Sequence, residues 1–260
     1  MENNDCFEIR HLNFSYGNKQ IFRDLNLSLP QGKITTILGG NGCGKSTLFQ
    51  ILTKNLKATG GKIFLNGQQL DQIGLKQFAR KVAIVHQNNT APGDILVEQL
   101  VAYGRIPFSY LGKAESREND EKMIERAMKI TGITSLRKKP VYALSGGQRQ
   151  RVWIAMALAQ GTKVLFLDEP TTFLDVRYQL QILRLVRQLN EKLGMTIIMV
   201  LHDINQAVNY SDEIVVLSPQ GDLVAQGVPE DVISKPVLKR VYGVELETVE
   251  AQERRIVLTI

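Results

Sequence analysis

The hydrophobic positions along the chain change period several times, and each change marks an element. Leu25, Leu27 and Leu29 alternate with Asn26 and Ser28, the period-two pattern of a half-buried strand. Pro30, Gln31 and Gly32 predict a turn. Residues 33–38 are β-branched and apolar and predict a buried strand, followed by a glycine-rich loop and a helix from Lys45. Residues 62–65 and 82–85 predict two more short strands. From about residue 96 to residue 159 the spacing is helical, with no convincing strand. Within it, residues 115–130 are charged, with Met123, Ile124, Ala127 and Met128 on one stripe and Gly132 as the expected stop. Alternation then resumes. Residues 164–167 predict a strand, and 175–193 an amphipathic helix with Ile182, Val186, Leu189 and Leu193 on one face. Residues 195–201, 203–210 and 213–217 predict strand, helix and strand, and 219–222 a hairpin turn. Repeated strand-then-helix order predicts a parallel α/β sheet with helices on both faces. The helical stretch reads as a subdomain inserted into it.

Composition narrows the class. The 260 residues are 43% hydrophobic and 22% charged, with 21 Gly and 8 Pro, which excludes disordered, collagen-like and low-complexity chains. The longest apolar run, residues 152–159, falls far short of the roughly 18 residues a membrane span needs. The polar, acidic start Met1-Glu2-Asn3-Asn4-Asp5 has no signal-peptide character, so a cytosolic location is expected. Cys6 and Cys43 stand 37 residues apart, with neither disulfide-framework nor zinc spacing. The net charge of +6 permits an anionic neighbour. However, the one tight basic cluster, Arg137-Lys138-Lys139, reads as a solvated face, and no nucleic-acid partner is expected.

Three motifs carry chemistry. Gly39-Gly40-Asn41-Gly42-Cys43-Gly44-Lys45-Ser46-Thr47 matches the phosphate loop G-x-x-x-x-G-K-[ST], with a buried strand before it and a helix after it. Glycines let backbone amides turn inward around phosphate oxygens, and the helix N-terminus adds partial positive charge. Lys45 is placed to reach the β- and γ-phosphates, and Ser46 to ligate Mg2+. A dinucleotide G-x-G-x-x-G reading fails, because Lys45 stands where the third glycine is needed. Second, the apolar strand 164–167 ends in Asp168 and Glu169, at the edge where open α/β sheets bind ligands. Asp168 is the candidate Mg2+ ligand and Glu169 the candidate general base. Third, Ser145-Gly146-Gly147-Gln148 has the form of a capping box opening a helix over 150–159. Its exposed amides also suit a phosphate.

Together these motifs make the chain resemble the ATP-binding subunit of ATP-binding cassette (ABC) transporters. Leu144-Ser145-Gly146-Gly147-Gln148 resembles that superfamily's signature, and its position 106 residues after Gly39 leaves room for the helical insertion. The resemblance implies an α/β P-loop NTPase (RecA-like) core over residues 1–87 and 160–260, with an N-terminal antiparallel β subdomain. It implies a helical subdomain over 88–159 that carries the signature. Tyr16 resembles the aromatic that stacks on adenine; the bland alternative is a tyrosine at a strand end. Gln87 resembles the hinge glutamine that touches Mg2+ and the attacking water. Asp175 resembles the loop joining two subunits, and His202, 33 residues beyond Glu169, the switch histidine at the γ-phosphate. Two positions depart from the pattern: Gly40 stands where the family often has proline, and Cys43 where it often has serine. Trp153 and Phe166 read as core.

The resemblance implies ATP hydrolysis with Mg2+, a head-to-tail homodimer in the ATP-bound state, and work on separate membrane permease subunits at the cytoplasmic face. An extracytoplasmic binding protein is an indirect partner. The phrases around Pro92-Gly93-Asp94, Gly104-Arg105-Ile106-Pro107, His202-Asp203-Ile204-Asn205 and Thr171-Thr172-Phe173-Leu174-Asp175 look most like importers of iron–siderophore, haem and cobalamin. An exporter subunit and a non-transport ABC protein stay open as alternatives; a P-loop GTPase is disfavoured by the lack of Asn-Lys-x-Asp. The resemblance to importers implies that residues 91–111, with Tyr103, Arg105, Phe108 and Tyr110, meet the permease; the bland alternative is that these side chains fill the core of the helical subdomain. Cys43 is expected to be a reachable thiol in the loop.

Overall fold

The structure, a computed structural model, describes residues 5–108, 114–243, 245–251 and 254–259. Contacts divide the chain into two compact units, one of residues 1–73 with 189–260 and one of residues 74–188.

The first unit opens with β1 (Asp5–Tyr16) and β2 (Lys19–Pro30), then β3 (Ile34–Gly39), α1 (Lys45–Leu52), β4 (Gly60–Leu65) and β5 (Gln68–Gln69). β1 pairs antiparallel with β2 and β4, and β4 with β5, giving a four-stranded antiparallel sheet. The expected alternation holds in β2: Leu25, Leu27 and Leu29 are buried while Asn26 is exposed. β3 is buried along its whole length, as a strand covered on both faces must be.

The second unit holds α2 (Leu75–Ala79), β6 (Val82–Val85), α3 (Val97–Ala102), α4 (Ala114–Ile130), α5 (Gly146–Ala159) and β7 (Val164–Asp168). The long helix α6 (Val176–Leu193) follows. β6 and β7 pair in parallel, Val82 beside Val164 and Val85 beside Leu167. On α4 the predicted stripe is half right. Ala127 and Met128 are buried, while Met123 and Ile124 are half-buried; Gly132 follows with a positive φ of 68°. α5 starts earlier than its apolar spacing suggests, because Ser145 caps it. Trp153 and Phe166 are core, as expected.

The chain then returns to the first unit through β8 (Thr196–Val200), α7 (Ile204–Tyr210), β9 (Glu213–Leu217) and β10 (Leu223–Gly227). β3 lies between β8 and β9, parallel to both, and β10 closes antiparallel on β9 through the predicted turn. α8 (Pro229–Val232), α9 (Lys235–Tyr242), β11 (Leu246–Ala251) and β12 (Arg254–Thr259) complete it. The hairpin β11–β12 is held to α7 by one amide. Asn205 donates to the Val257 carbonyl at 3.0 Å and accepts from the Val257 N–H at 2.7 Å. Among the described residues, no helix is long and apolar enough to cross a membrane.

Candidate functional site

In the first unit the phosphate loop joins β3 to α1, as the spacing predicts. Gly44, immediately before the helix, has φ 102°, and a Cβ there would stand 2.7 Å from the Phe22 ring. Only glycine takes that turn without strain. α1 has no side-chain cap and no acid in its first turn, so the N–H groups and positive dipole end have no protein partner competing for them. That is the arrangement an anion site needs. Lys45 is buried and donates from Nζ to the carbonyls of Gly39 and Gly40, both at 2.9 Å; Cys43 Sγ lies 4.0 Å away. Gly40, Asn41, Gly42 and Ser46 line the outer side of the turn, Asn41, Gly42 and Ser46 being exposed, and Thr47 is buried at its base.

Cys43 corrects one expectation. Its side chain is 1% exposed, packed so that a Cβ on Gly39 would stand 2.6 Å from Sγ. The loop turns its amides outward and its side chain inward, so the thiol is not reachable. Elsewhere in this unit Tyr16 ends β1, 47% exposed, its ring edge-on to Phe14 at 4.8 Å. His202 is exposed just past β8, one residue before Asp203, which caps α7 through a 3.0 Å bond from the Gln206 N–H.

In the second unit, Asp168 ends β7 with Oδ1 shielded from solvent, and Glu169 follows with φ 48°. A left-handed glutamate is a strained backbone of the kind that collects at working sites. Gln87 lies beyond β6, and the parallel pairing of β6 with β7 brings it to Glu169: Gln87 Nε2 donates to Glu169 Oε2 at 2.5 Å. Thr172 Oγ1 donates to the same oxygen at 3.1 Å. Burial holds the imidazole of His86, next to Gln87, below its usual pKa.

The Ser145 group is in the same unit. Ser145 Oγ accepts from the Gln148 N–H at 3.4 Å, and the Gln148 side chain accepts from the Ser145 N–H at 3.2 Å, the reciprocal box the spacing predicts. Gly147 is buried where a Cβ would meet the Tyr178 ring at 2.3 Å, and one on Gly146 would meet Leu174 at 3.2 Å. The box therefore packs against the start of α6, where Asp175 accepts from the Tyr178 N–H at 3.1 Å.

The ABC transporter family model matches residues 22–172, from β2 through the phosphate loop, the Ser145 box and the acidic strand end. The chain belongs to the ABC transporter family. It is 43% identical over 238 residues to the iron(3+)-hydroxamate import ATP-binding protein FhuC of Bacillus subtilis, spanning 92% of this chain and 88% of that one. It is 45% identical over 242 residues to the petrobactin import ATP-binding protein FpuD of Bacillus anthracis, spanning 93% and 88%. Among solved structures it resembles cbiO1 of Clostridium perfringens, part of the ABC transporter complex cbiONQ. The TM-score is 0.80 at 34% identity, over 92% of this chain and 94% of that one.

This ABC chain also carries features that spacing alone does not reveal. Thr172 orients Glu169, and Tyr178 backs Gly147; neither stands in a motif position that announces it. Phe173 is 89% exposed with φ 63°, beside Asp175. Of the two readings of residues 91–111, Arg105 fits the core one. It is buried, paired with Asp120 at 2.7 Å, donates to the Ala159 carbonyl at 2.8 Å and lies 4.3 Å from the Phe108 ring centre. Tyr103 and Ile106 are the exposed apolar residues of that segment, and Tyr110 and Leu111 lie outside the described residues.

Proposed function

We propose that this chain is the ATP-hydrolysing subunit of an ABC importer. It energises uptake of an iron complex, siderophore or haem, or of cobalamin, through separate permease subunits at the cytoplasmic face of the membrane. The observation that supports it most is the uncapped start of α1 behind the phosphate loop, in a chain over two-fifths identical to iron-chelate import ATP-binding proteins. ATP is the substrate. Tyr16 stacks on the adenine, and the amides of Gly39, Gly40, Asn41, Gly42, Cys43, Gly44, Lys45, Ser46 and Thr47 surround the phosphates. Lys45 neutralises the β- and γ-phosphates.

Ser46, Asp168 and Gln87 offer hydroxyl, carboxylate and amide oxygen, a hard donor set that suits Mg2+. The bound ion supplies charge neutralisation of the phosphates. Gln87 gives its N–H to Glu169, which leaves its oxygen side for the ion or the water. Glu169, held by Gln87 and Thr172, takes the proton from the attacking water. His202 senses the γ-phosphate. Ser145, Gly146, Gly147 and Gln148 grip the γ-phosphate held by a second copy, with Asp175 at the join, so ATP closes a homodimer and hydrolysis opens it. Among the described residues there is no group of three or more His, Cys, Asp or Glu that could hold a resident metal ion.

The test is uptake in a strain lacking the gene. Complementation by the wild type but not by Lys45→Ala or Glu169→Gln supports the reading. The cargo is found by offering ferric hydroxamate, ferric catecholate, haem and cobalamin in turn. Uptake of all four without the gene would refute the importer assignment.

A further inference from the structure

α7 begins two residues after His202 and takes little support from the core. Among its described residues only Ala207 is buried. The helix packs more on β12 of the C-terminal hairpin than on β3 or α8. Asn205, in its first turn, supplies a two-bond clamp to that strand. The side-chain amide donates to the Val257 carbonyl at 3.0 Å and accepts from the Val257 N–H at 2.7 Å. Val257 turns both main-chain groups to one side chain, so the amide occupies the open edge of β12, where a further strand would otherwise pair. A primary amide suits this place because it carries a donor and an acceptor side by side.

The far side of the clamp is anchored. Val257 and Leu246 are buried, and Lys235 on α9 pairs with Glu247 on β11 at 2.8 Å. On the near side, Leu201 is buried just past β8, and Asp203 caps α7 by accepting from the Gln206 N–H at 3.0 Å. His202 is the single residue between that buried leucine and the capped turn, and it is exposed. The direction of the first turn of α7 therefore sets the direction of His202. The clamp fixes that turn against a hairpin far along the chain.

We propose that Asn205 is a positioning residue for His202: by holding the first turn of α7 to β12, it aims the imidazole at the γ-phosphate. This rests on the γ-phosphate reading of His202 above and adds to it a residue and a C-terminal element that touch no nucleotide. A helix start displaced by about an ångström carries His202 with it, and misplacement on that scale is enough to slow a reaction. Nucleotide affinity, which the phosphate loop supplies through β3 and α1, does not pass through the clamp.

The experiment is Asn205→Ala in the full chain, assayed well below the Tm of each variant, with Asn205→Asp beside it. The aspartate keeps an acceptor for the Val257 N–H and loses the donor to the carbonyl. Steady-state ATP hydrolysis is measured, and the imidazole proton resonances are followed by NMR on adding MgATPγS or MgADP. The chain has three histidines, His11, His86 and His202, so each can be assigned by substitution. In Asn205→Ala, kcat should fall about three- to tenfold with KM for MgATP within about twofold. The shift that MgATPγS but not MgADP induces at His202 should shrink at least about twofold, while the His11 resonance is unchanged. Asn205→Asp should lie between wild type and Asn205→Ala in both readouts, and it alone decides the matter if the alanine variant does not fold. Wild-type kcat in the folded variants overturns the proposal, leaving Asn205 a structural clamp. So does a lowered kcat with the His202 shift intact. If MgATPγS moves no His202 resonance in the wild type, the γ-phosphate reading itself fails and the proposal with it, an outcome visible before any Asn205 variant is compared.

Discussion

The phosphate loop and the acidic end of β7 are built by opposite means. The loop works through main chain. Its glycines and the uncapped α1 turn N–H groups outward, while the side chains of Cys43 and Lys45 are tucked inward. The acidic end works through side chains: one glutamate in a left-handed backbone, oriented by an amide from beyond β6 and a hydroxyl three residues on. A main-chain site tolerates changes of residue type so long as the turn survives. A side-chain site fails when one functional group is exchanged, even for an isostere. The departures at Gly40 and Cys43 fall in the first region, where the logic permits them.

Lys45 is the exception inside the loop, and its removal is the largest effect expected. Lys45→Ala takes away the charge proposed to meet the phosphates and also the donor shared by the Gly39 and Gly40 carbonyls. MgATP binding should fall by about 100-fold or more, because a charge-assisted hydrogen bond to phosphate and the order of the loop disappear together. Calorimetric titration checks it, and affinity within threefold of wild type would mean that the loop amides alone hold the nucleotide. Glu169→Gln comes next. The amide keeps the shape but cannot accept the water's proton, so turnover should drop about 10²- to 10⁴-fold while MgATP binding stays within about twofold. With ATP unspent, the mutant should elute as a dimer. Normal steady-state hydrolysis would remove Glu169 from the mechanism.

Much of this contrast is legible in the residues, because the loop's demands are local. A strand, a run of glycines, a lysine and a helix follow one another, so spacing alone locates them. The Ser145 box is equally local. What spacing does not carry is register between distant segments. Gln87 and Glu169 stand 82 residues apart and meet because Val85 pairs with Leu167. The C-terminal hairpin is missed for a related reason: the two residues between β11 and β12 in sequence include no Gly, Pro, Asn or Asp, and the clamp on the strands is Asn205 on another element. Arg105 looks like a surface residue in sequence because burying a guanidinium requires partners that only the fold supplies, here Asp120, the Ala159 carbonyl and Phe108.

Arg105 sharpens the comparison by standing outside both regions. Arg105→Ala leaves Asp120 without its partner, and breaking such a pair costs about 3 kcal/mol when largely buried. For a chain of this size that lowers Tm by roughly 6–12 °C. MgATP affinity of the folded fraction should not change, since the residue belongs to the helical packing and to neither chemical region. A selective loss of permease binding at unchanged Tm would instead restore the docking role that its burial argues against.

The smallest effect is expected at Cys43. If the loop acts through main chain, replacing its inward side chain by one of similar size should hardly matter. Cys43→Ser keeps an acceptor facing the Lys45 ammonium, and the site is closed on its other side by Gly39, where a Cβ would already collide with the sulfur. The Kd for MgATP should stay within about twofold of wild type, a difference below about half a kcal/mol. The native thiol, 1% exposed, should label slowly with maleimide whether or not MgATP is present, in a Cys6→Ala background that removes the other cysteine. Cys43→Leu tests the same logic from the other direction. The larger side chain has no room beside Gly39 and must push the turn outward, misdirecting the amides. Affinity should then fall at least about tenfold although no phosphate-binding group has been touched. Should Cys43→Ser weaken binding by more than tenfold, the side chain at this position is itself a ligand, and the division between a main-chain region and a side-chain region breaks down at its first residue.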